Sequence, residues 1–522
     1  MLHDLWLKLK GVFARMGLIS SIKTLADVPN LTVDDADLQR VTAWMSTYQG
    51  HPEWSVYNWQ DVKGDPHRDA LLSLHMPKVS AKKMASLVFN QAATITAYEA
   101  GKDPKAGKTT PDDDNNDQNL MLQEILRRNH FKVNLERWLE YCYATGGIMA
   151  REYVNDGEVK IRFAAADSII PISQDANGIT ECVIASSKVV DGKHYTLLEW
   201  HREDERYYIV ENQLYRSTST DGSDLGTRCP LAEVYPQLKE KSLYDKATYT
   251  RPTFQYLKPN IANNFNLDSP LGVPIYANAM DTLRMLDEAY NGLMQEMQMG
   301  RRRIVAPDYM LKRAPDVRTG KESWYVDWRE RVYQPLKMDR TGANKDEVRD
   351  ITLPLRNDQF IATIKDLLKV YATQIGFSAS TFSFDGATGL QTATEVVSQN
   401  SETYQTKNSH ETLVERFIQD IATSCLELAK NATAVKYSAS ADVTVMVNFD
   451  DSIAKDRDEN AKYYQTVTGN KPLMPQREAI KRANGLDDQT ADQWLAEIKQ
   501  EDAGPDDVDD ILTQTAGEDN GA

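Results

Sequence analysis

The amino-acid sequence predicts an α+β protein built in several parts. Three observations carry that expectation. Short alternating segments separated by turn residues fill the stretch from 148 to 211. Runs with helical spacing flank that block on both sides, and a basic, strand-like stretch hangs between two of those runs. The chain has 522 residues, more than the roughly 100–200 of one compact domain. Hydrophobic residues make up 41% and charged residues 26%, a balance that supports a packed core over most of the length.

The elements follow in order. Residues 1–18 place Leu2, Leu5, Trp6, Leu9, Val12, Phe13 and Met16 at helical spacing, interleaved with Asp4, Lys8, Lys10 and Arg15. This is an amphipathic helix suited to docking on protein or lying on a membrane surface, not the charge-free core of a signal peptide. No run approaches the ~20 apolar residues that span a bilayer. Residues 77–100 read as one helix, with Met84, Leu87, Val88 and Ala92 on its apolar face and Pro77 in its first turn. Residues 101–114 form a polar loop, and 115–145 supply more helix. Strands are expected at 148–153, 159–164, 181–190, 194–201 and 206–211, with Asn155, Asp156, Gly157, Asp191, Gly192 and Asn212 in the hairpin turns.

Past Asn264 the pattern changes. Asp268-Ser269-Pro270 offers a helix start, and Ile275, Ala279, Leu283, Leu286, Tyr290, Leu293 and Met297 then recur every three or four residues up to Gly300, a helix of ~39 Å. Residues 301–349 hold 13 Lys or Arg against 8 Asp or Glu, together with aromatic, strand-like stretches. A second helix follows, with Phe360, Ile364, Leu367, Leu368, Tyr371 and Ile375 on one face. Residues 376–390 read as a loop, and 392–431 as a helix long enough to kink or to cross the molecule. Residues 442–449 alternate as a strand, and 456–500 are helical and polar. The last 22 residues carry eight acidic groups and no Lys or Arg, which predicts disorder.

Chemistry is sparse. The four cysteines, Cys142, Cys182, Cys229 and Cys425, form no CxxC pair and suit buried thiols in a reducing compartment. The eight histidines show no zinc-ligand spacing. Gly101 to Thr109 nearly spells a phosphate loop but has five residues between Gly101 and Gly107 where four are needed, and a helix is expected before it in place of a strand. Asp112, Asp113, Asp114 and Asp117 lack the Gly and terminal Glu of a calcium loop. No catalytic dyad is visible, so neither enzymatic activity nor a cofactor is expected. The net charge of −17 excludes a protein that grips DNA through clustered cations, yet suits one that lets a duplex slide past.

Five strings, in this order, carry a resemblance. They are Leu87-Val88-Phe89-Asn90, then Ala144-Thr145-Gly146-Gly147, Asp268-Ser269-Pro270-Leu271-Gly272, Gly300-Arg301-Arg302-Arg303-Ile304, and Gly389-Leu390-Gln391-Thr392-Ala393-Thr394-Glu395-Val396. With the arrangement helix, basic β module, helix, loop and long helix, the chain resembles the portal proteins of long-tailed phages of Gram-positive bacteria. The resemblance implies an N-terminal arm (1–29), a wing (30–264), a stem of two helices (265–300 and 356–376) and a clip between them (301–355). It further implies a tunnel loop (377–391), a long kinked wing helix with a returning strand (392–450), a crown (451–500) and a disordered acidic tail (501–522).

It also implies a ring of about twelve copies at one capsid vertex, assembled in the host cytoplasm and retained in the virion. Double-stranded DNA, the terminase large subunit, head-completion or adaptor proteins, and the major capsid and scaffold proteins are the partners so implied, with no membrane. Ser378, Ser380, Thr381, Ser383, Asp385, Gly386, Thr388 and Gly389 would line the tunnel, where hydroxyls and a carboxylate give weak, sequence-blind contact. Phe382 and Phe384 would either share that surface or anchor it in the core. Lys365 and Lys369, on one helical face, would either space phosphates or pair with acidic neighbours such as Asp366. Arg301, Arg302 and Arg303 would either cap a helix dipole or, with Arg329 and Arg331, meet the terminase or a neighbouring subunit. The rival expectation is a minor capsid or head–tail adaptor protein that binds the ring without forming it.

Overall fold

The protein was analysed as a computed structural model. Its described residues are 35–60, 64–90, 92–99, 116–219, 224–300, 354–383, 401–430, 443–449, 464–466, 468, 474–484 and 488–502, with short strands between 304 and 350. The chain divides into two compact units, residues 1–386 with 400–450, and residues 387–399 with 451–522.

The first unit opens with α1 (Asp35–Tyr48), a hairpin of β1 (Val56–Gln60) and β2 (Pro66–Ala70), α2 (Met76–Val88) and β3 (Thr94–Glu99). Next come α3 (Asp117–Arg128) and α4 (Phe131–Thr145). The side chain of Asn116 accepts the Asn119 N–H and so caps α3 at 2.8 Å. Gly146, at φ +95, ends α4 in the left-handed region, where glycine carries no Cβ penalty.

The strands β4 (Ile148–Asn155) and β5 (Glu158–Ala165) pair around Asp156-Gly157, and β12 (Phe254–Leu257) joins the free edge of β4. A larger antiparallel sheet contains β6 (Ile169–Asp175), β7 (Gly178–Val190), β8 (Lys193–Glu203) and β9 (Tyr207–Arg216). On the far side of β9 lie β10 (Thr227–Cys229) and β11 (Lys241–Asp245). Every strand expected from turn signals between 148 and 211 is present, and each is extended by one to several residues.

Two helices, α5 (Met280–Met299) and α6 (Asn357–Gln374), bracket the basic stretch. Within that stretch β13 (Ile304–Pro307) pairs with β16 (Gln334–Leu336) in parallel and with β17 (Arg349–Asp350) in antiparallel sense. The short strands β14 (Ala314–Pro315) and β15 (Glu322–Ser323) pair with each other. Last come α7 (Ser401–Ala429) and β18 (Val443–Asn448), which pairs antiparallel with β3. The main core runs through α1, α2, α4, α5, α6 and α7 and includes Trp44, Met84, Leu139, Leu286, Tyr371 and Ile421. In the second unit, α8 (Gln476–Asn484) and α9 (Asp488–Asp502) are joined by an Arg477–Asp492 ion pair.

Three sequence expectations need correction. Residues 77–100 are not one helix: α2 stops at Val88, and Thr94–Glu99 is a strand. The β-branched Thr94, Ile95 and Thr96 alternate there, Ile95 and Ala97 facing the core, and pairing with β18 settles the choice. A strand therefore does precede the Gly101–Thr109 string, and only the wrong glycine spacing still argues against a phosphate loop. The first stem helix starts at Met280, ten residues after Pro270; the intervening chain is irregular apart from one turn at Ala277–Ala279. Residues 115–145 are two helices, broken at His130, which sits at φ +47.

Residues 1–34, the loop 101–115, 392–400, most of 451–473 and 503–522 lie outside the described residues, and the arm and tail expectations lie there. Cys142, Cys182 and Cys425 are buried free thiols, while Cys229 is half-exposed.

Candidate functional site

Helix α5 carries an apolar stripe whose burial fades along its length. Leu283 and Leu286 are buried, whereas Met297 is 51% exposed. Helix α6 shows the reverse order, from Leu355, exposed just ahead of it, to the buried Tyr371 and Ala372. The two helices therefore run antiparallel and stand out from the body, with the strand module at their outer end. Gly292 lets them approach, since a Cβ there would meet Phe360 Cε1 at 2.6 Å.

At the outer end Glu296 takes both arms of the Arg356 guanidinium, Nη2 at 2.7 Å and Nε at 3.1 Å, and also the Arg356 backbone N–H. Those bonds hold the Glu296 carboxyl below the usual carboxylate range. The chain thus leaves and re-enters the strand module through one clasped point.

The inner end is fixed by buried polar groups. Asp287 accepts the Leu74 N–H and the Trp54 indole N–H, at 2.9 and 3.0 Å. One turn on, Asn291 accepts from Leu72 N–H at 2.9 Å and donates to Leu72 C=O at 2.8 Å. These residues, four apart on one face, satisfy the otherwise open backbone ahead of α2. On α6, the Tyr371 hydroxyl meets Ser80 Oγ of α2 at 2.8 Å.

Ahead of α5, two of the resemblance strings interlock. A Cβ on Gly146 would stand 2.5 Å from the Gly272 carbonyl oxygen, and one on Gly272 would strike the Gly146 carbonyl oxygen. The Gly272 N–H donates to the buried Tyr256 hydroxyl at 3.2 Å. Those glycines mark a backbone-on-backbone contact between the body and the chain leading into the stem.

The loop after α6 begins with a turn at Gly376, φ +77, against Thr406 of α7. Phe377 is fully buried. Thr403 Oγ1 accepts the Ser378 N–H at 2.8 Å, and its hydroxyl lies 3.2 Å from Ser378 Oγ and 3.4 Å from Thr381 Oγ1. Phe382 packs against Phe377 and Tyr371, with ring centroids 5.4 and 6.0 Å away, and Lys83 lies 5.8 Å above its ring. Burial pushes the Lys83 ammonium below its ordinary range.

The predicted site residues fare unevenly. Ser378 is buried and bonded to α7, so it is an anchor and not a lining group. This corrects its assignment, because a residue next to buried Phe377 cannot face a duplex. Ser380 and Ser383 are exposed, and Thr381 is half-buried. Of the two readings for Phe382, the core anchor holds. Lys369 pairs with Asp366 at 3.0 Å on an exposed surface, and Lys365 is half-buried. Phe384, Asp385, Gly386, Thr388 and Gly389, like Arg301, Arg302, Arg303, Arg329 and Arg331, lie outside the described residues.

Sequence reasoning missed Asp287, Asn291, Glu296 with Arg356, and Thr403. The first two had a signal, as polar residues four apart interrupting an apolar stripe.

Among the described residues there is no cluster of metal-ligating groups, and no helix is long and apolar enough to cross a membrane. No curated protein matches the sequence closely enough to count as a relative. A family model described as phage portal protein, SPP1 Gp6-like, matches residues 30–504. That match covers the helix pair, its strand module and the anchored loop, and the chain belongs to the SPP1 Gp6-like family of phage portal proteins.

Proposed function

We propose that this chain is the subunit of a ring-shaped channel at one capsid vertex, through which double-stranded DNA is packaged and later released toward the tail. One arrangement supports the reading most. A strand module sits at the clasped end of an antiparallel helix pair, and the loop that follows is tied at its base to a long helix. Such a loop can present a fixed rim while its tip meets the duplex.

The exposed rim groups Ser380 and Ser383 are small hydroxyls. They contact phosphates without the cationic grip that would brake axial movement. In this reading about twelve copies form the ring, and the strand module at 301–355 faces the terminase large subunit and later the head-completion or adaptor proteins. The outer parts meet the major capsid and scaffold proteins. The chain itself is not an enzyme, and ATP hydrolysis belongs to the terminase. Assembly takes place in the host cytoplasm, and the ring stays in the virion.

Negative-stain imaging of the purified protein, alone and with the head proteins of its phage, tests this. Rings with a central hole wide enough for a duplex are expected. Single subunits that persist with head proteins present would overturn the reading in favour of an adaptor. ATP hydrolysis by the purified chain would overturn its non-enzymatic part.

A further inference from the structure

The first turns of α1 and the segment before α5 enclose a groove of about 400 Å³, walled by Leu38, Ile169, Ile170, Pro171, Pro270 and Leu271. Beside it Leu267 is 86% exposed and Phe265 42% exposed. Both belong to a held segment. Asn263 Oδ1 accepts the N–H groups of Phe265 and Asn266, each at 3.1 Å. Asn266 in turn accepts the Asp268 N–H and donates to Asp37 Oδ2 at 3.2 Å. Phe265 also packs edge-on against Trp44 at 5.7 Å. An apolar side chain fixed in water beside an apolar groove leaves surface whose burial is favourable.

The chain itself supplies an occupant. Helix α1 begins at Asp35, and its residues Asp37 and Leu38 line the groove, so the residues preceding α1 arrive there. Residues 1–18 carry the single apolar stripe from Leu2 to Met16. Their polar side holds Lys8, Lys10 and Arg15 against one acid, Asp4, and the groove offers Asp37 and Asp268. Residues 19–34 can bridge up to ~55 Å when extended, enough to bring the stripe back onto its own chain.

We propose that the amphipathic segment 1–18 docks by its apolar stripe on this groove of its own chain, covering Leu267 and Phe265. The docked segment ties the start of α1 to the segment that leads into the stem, and its basic residues lie along the acidic rim. The matched family region begins at residue 30, so the inference stands apart from the channel reading and does not rest on it.

Full-length protein carrying Leu9→Cys and Leu267→Cys, with Cys229→Ser to remove the half-exposed thiol, is treated with a short bismaleimide. The control pairs Leu9→Cys with Val189→Cys, an equally accessible site on β7. The expected result is a cross-link within one chain, formed about tenfold faster than in the control if docking holds the two sites together. Equal rates would overturn the proposal. Cross-links found only between chains would overturn the own-chain assignment and give the groove to a neighbouring copy.

Hydrogen exchange of the unmodified protein provides a second arm. Amides in residues 1–18 should exchange about tenfold or more slowly than in the free peptide, and Leu267→Asp should remove that protection. Free-peptide rates in the intact protein, slowed only by added phosphatidylglycerol vesicles, would overturn docking in favour of a membrane surface.

Discussion

Glu152 on β4 is almost wholly buried against α7. One carboxyl oxygen lies 3.2 Å from Ser424 Oγ, and the other finds no hydrogen-bond partner among the described residues. Burial raises its pKa to about 8, opposed by the Ser424 hydroxyl and the charge of Arg151. The folded chain therefore holds this proton longer than the unfolded chain. Below the ordinary carboxylate range both states are protonated, and stability is unaffected. As pH rises through that range the unfolded chain alone ionises, so stability falls until the folded group also ionises near pH 8. The whole effect is on the order of 4 kcal/mol. Glu152→Gln should remove most of this slope, making the protein more stable at pH 8 and little changed at pH 4. Denaturant midpoints of both proteins between pH 4 and 9 would check it, and parallel slopes would refute it.

At the scale of elements, the stem is joined to the body by a few buried polar groups and not by apolar contact alone. Asp287 is the clearest case, because it satisfies two donors on one segment of chain. Asp287→Ala should leave the Leu74 N–H and the Trp54 indole N–H unpaired, at a cost of about 2–4 kcal/mol. The local signature should be faster amide exchange at Leu72 and Leu74. A thermal midpoint unchanged from the parent would show that water replaces the carboxylate without loss. The Glu296–Arg356 clasp at the other end is exposed, so its role is geometric. Screened by solvent, it adds little to stability, but it fixes where the strand module begins and ends.

At the scale of the whole molecule, the anchored base at Ser378 and Thr403 divides the expected tunnel loop in two. Residues up to Phe382 belong to the core, and whatever touches DNA must come from the exposed hydroxyls and the residues beyond. Deleting 385–389 should leave ring assembly intact, as judged by imaging, while lowering the yield of packaged DNA severalfold in a nuclease-protection assay. Loss of the ring itself would show that those residues carry subunit packing.

The sequence by itself determined the α+β class, the central strands, the helix pair around a basic strand module and the kinship that follows from their order. Those features rest on local periodicity and turn chemistry, which each short stretch encodes alone. Tertiary structure decided what periodicity leaves ambiguous. Residues 94–99 carry apolar groups compatible with either period, and only β18, more than 340 residues away in sequence, makes them a strand. Pro270 looked like a helix start, but the backbone contact of Gly272 with Gly146 holds that stretch irregular until Met280. Ser378 read as a lining hydroxyl until Thr403 folded over it. In each case the deciding partner is distant in the chain, so no local pattern could announce it.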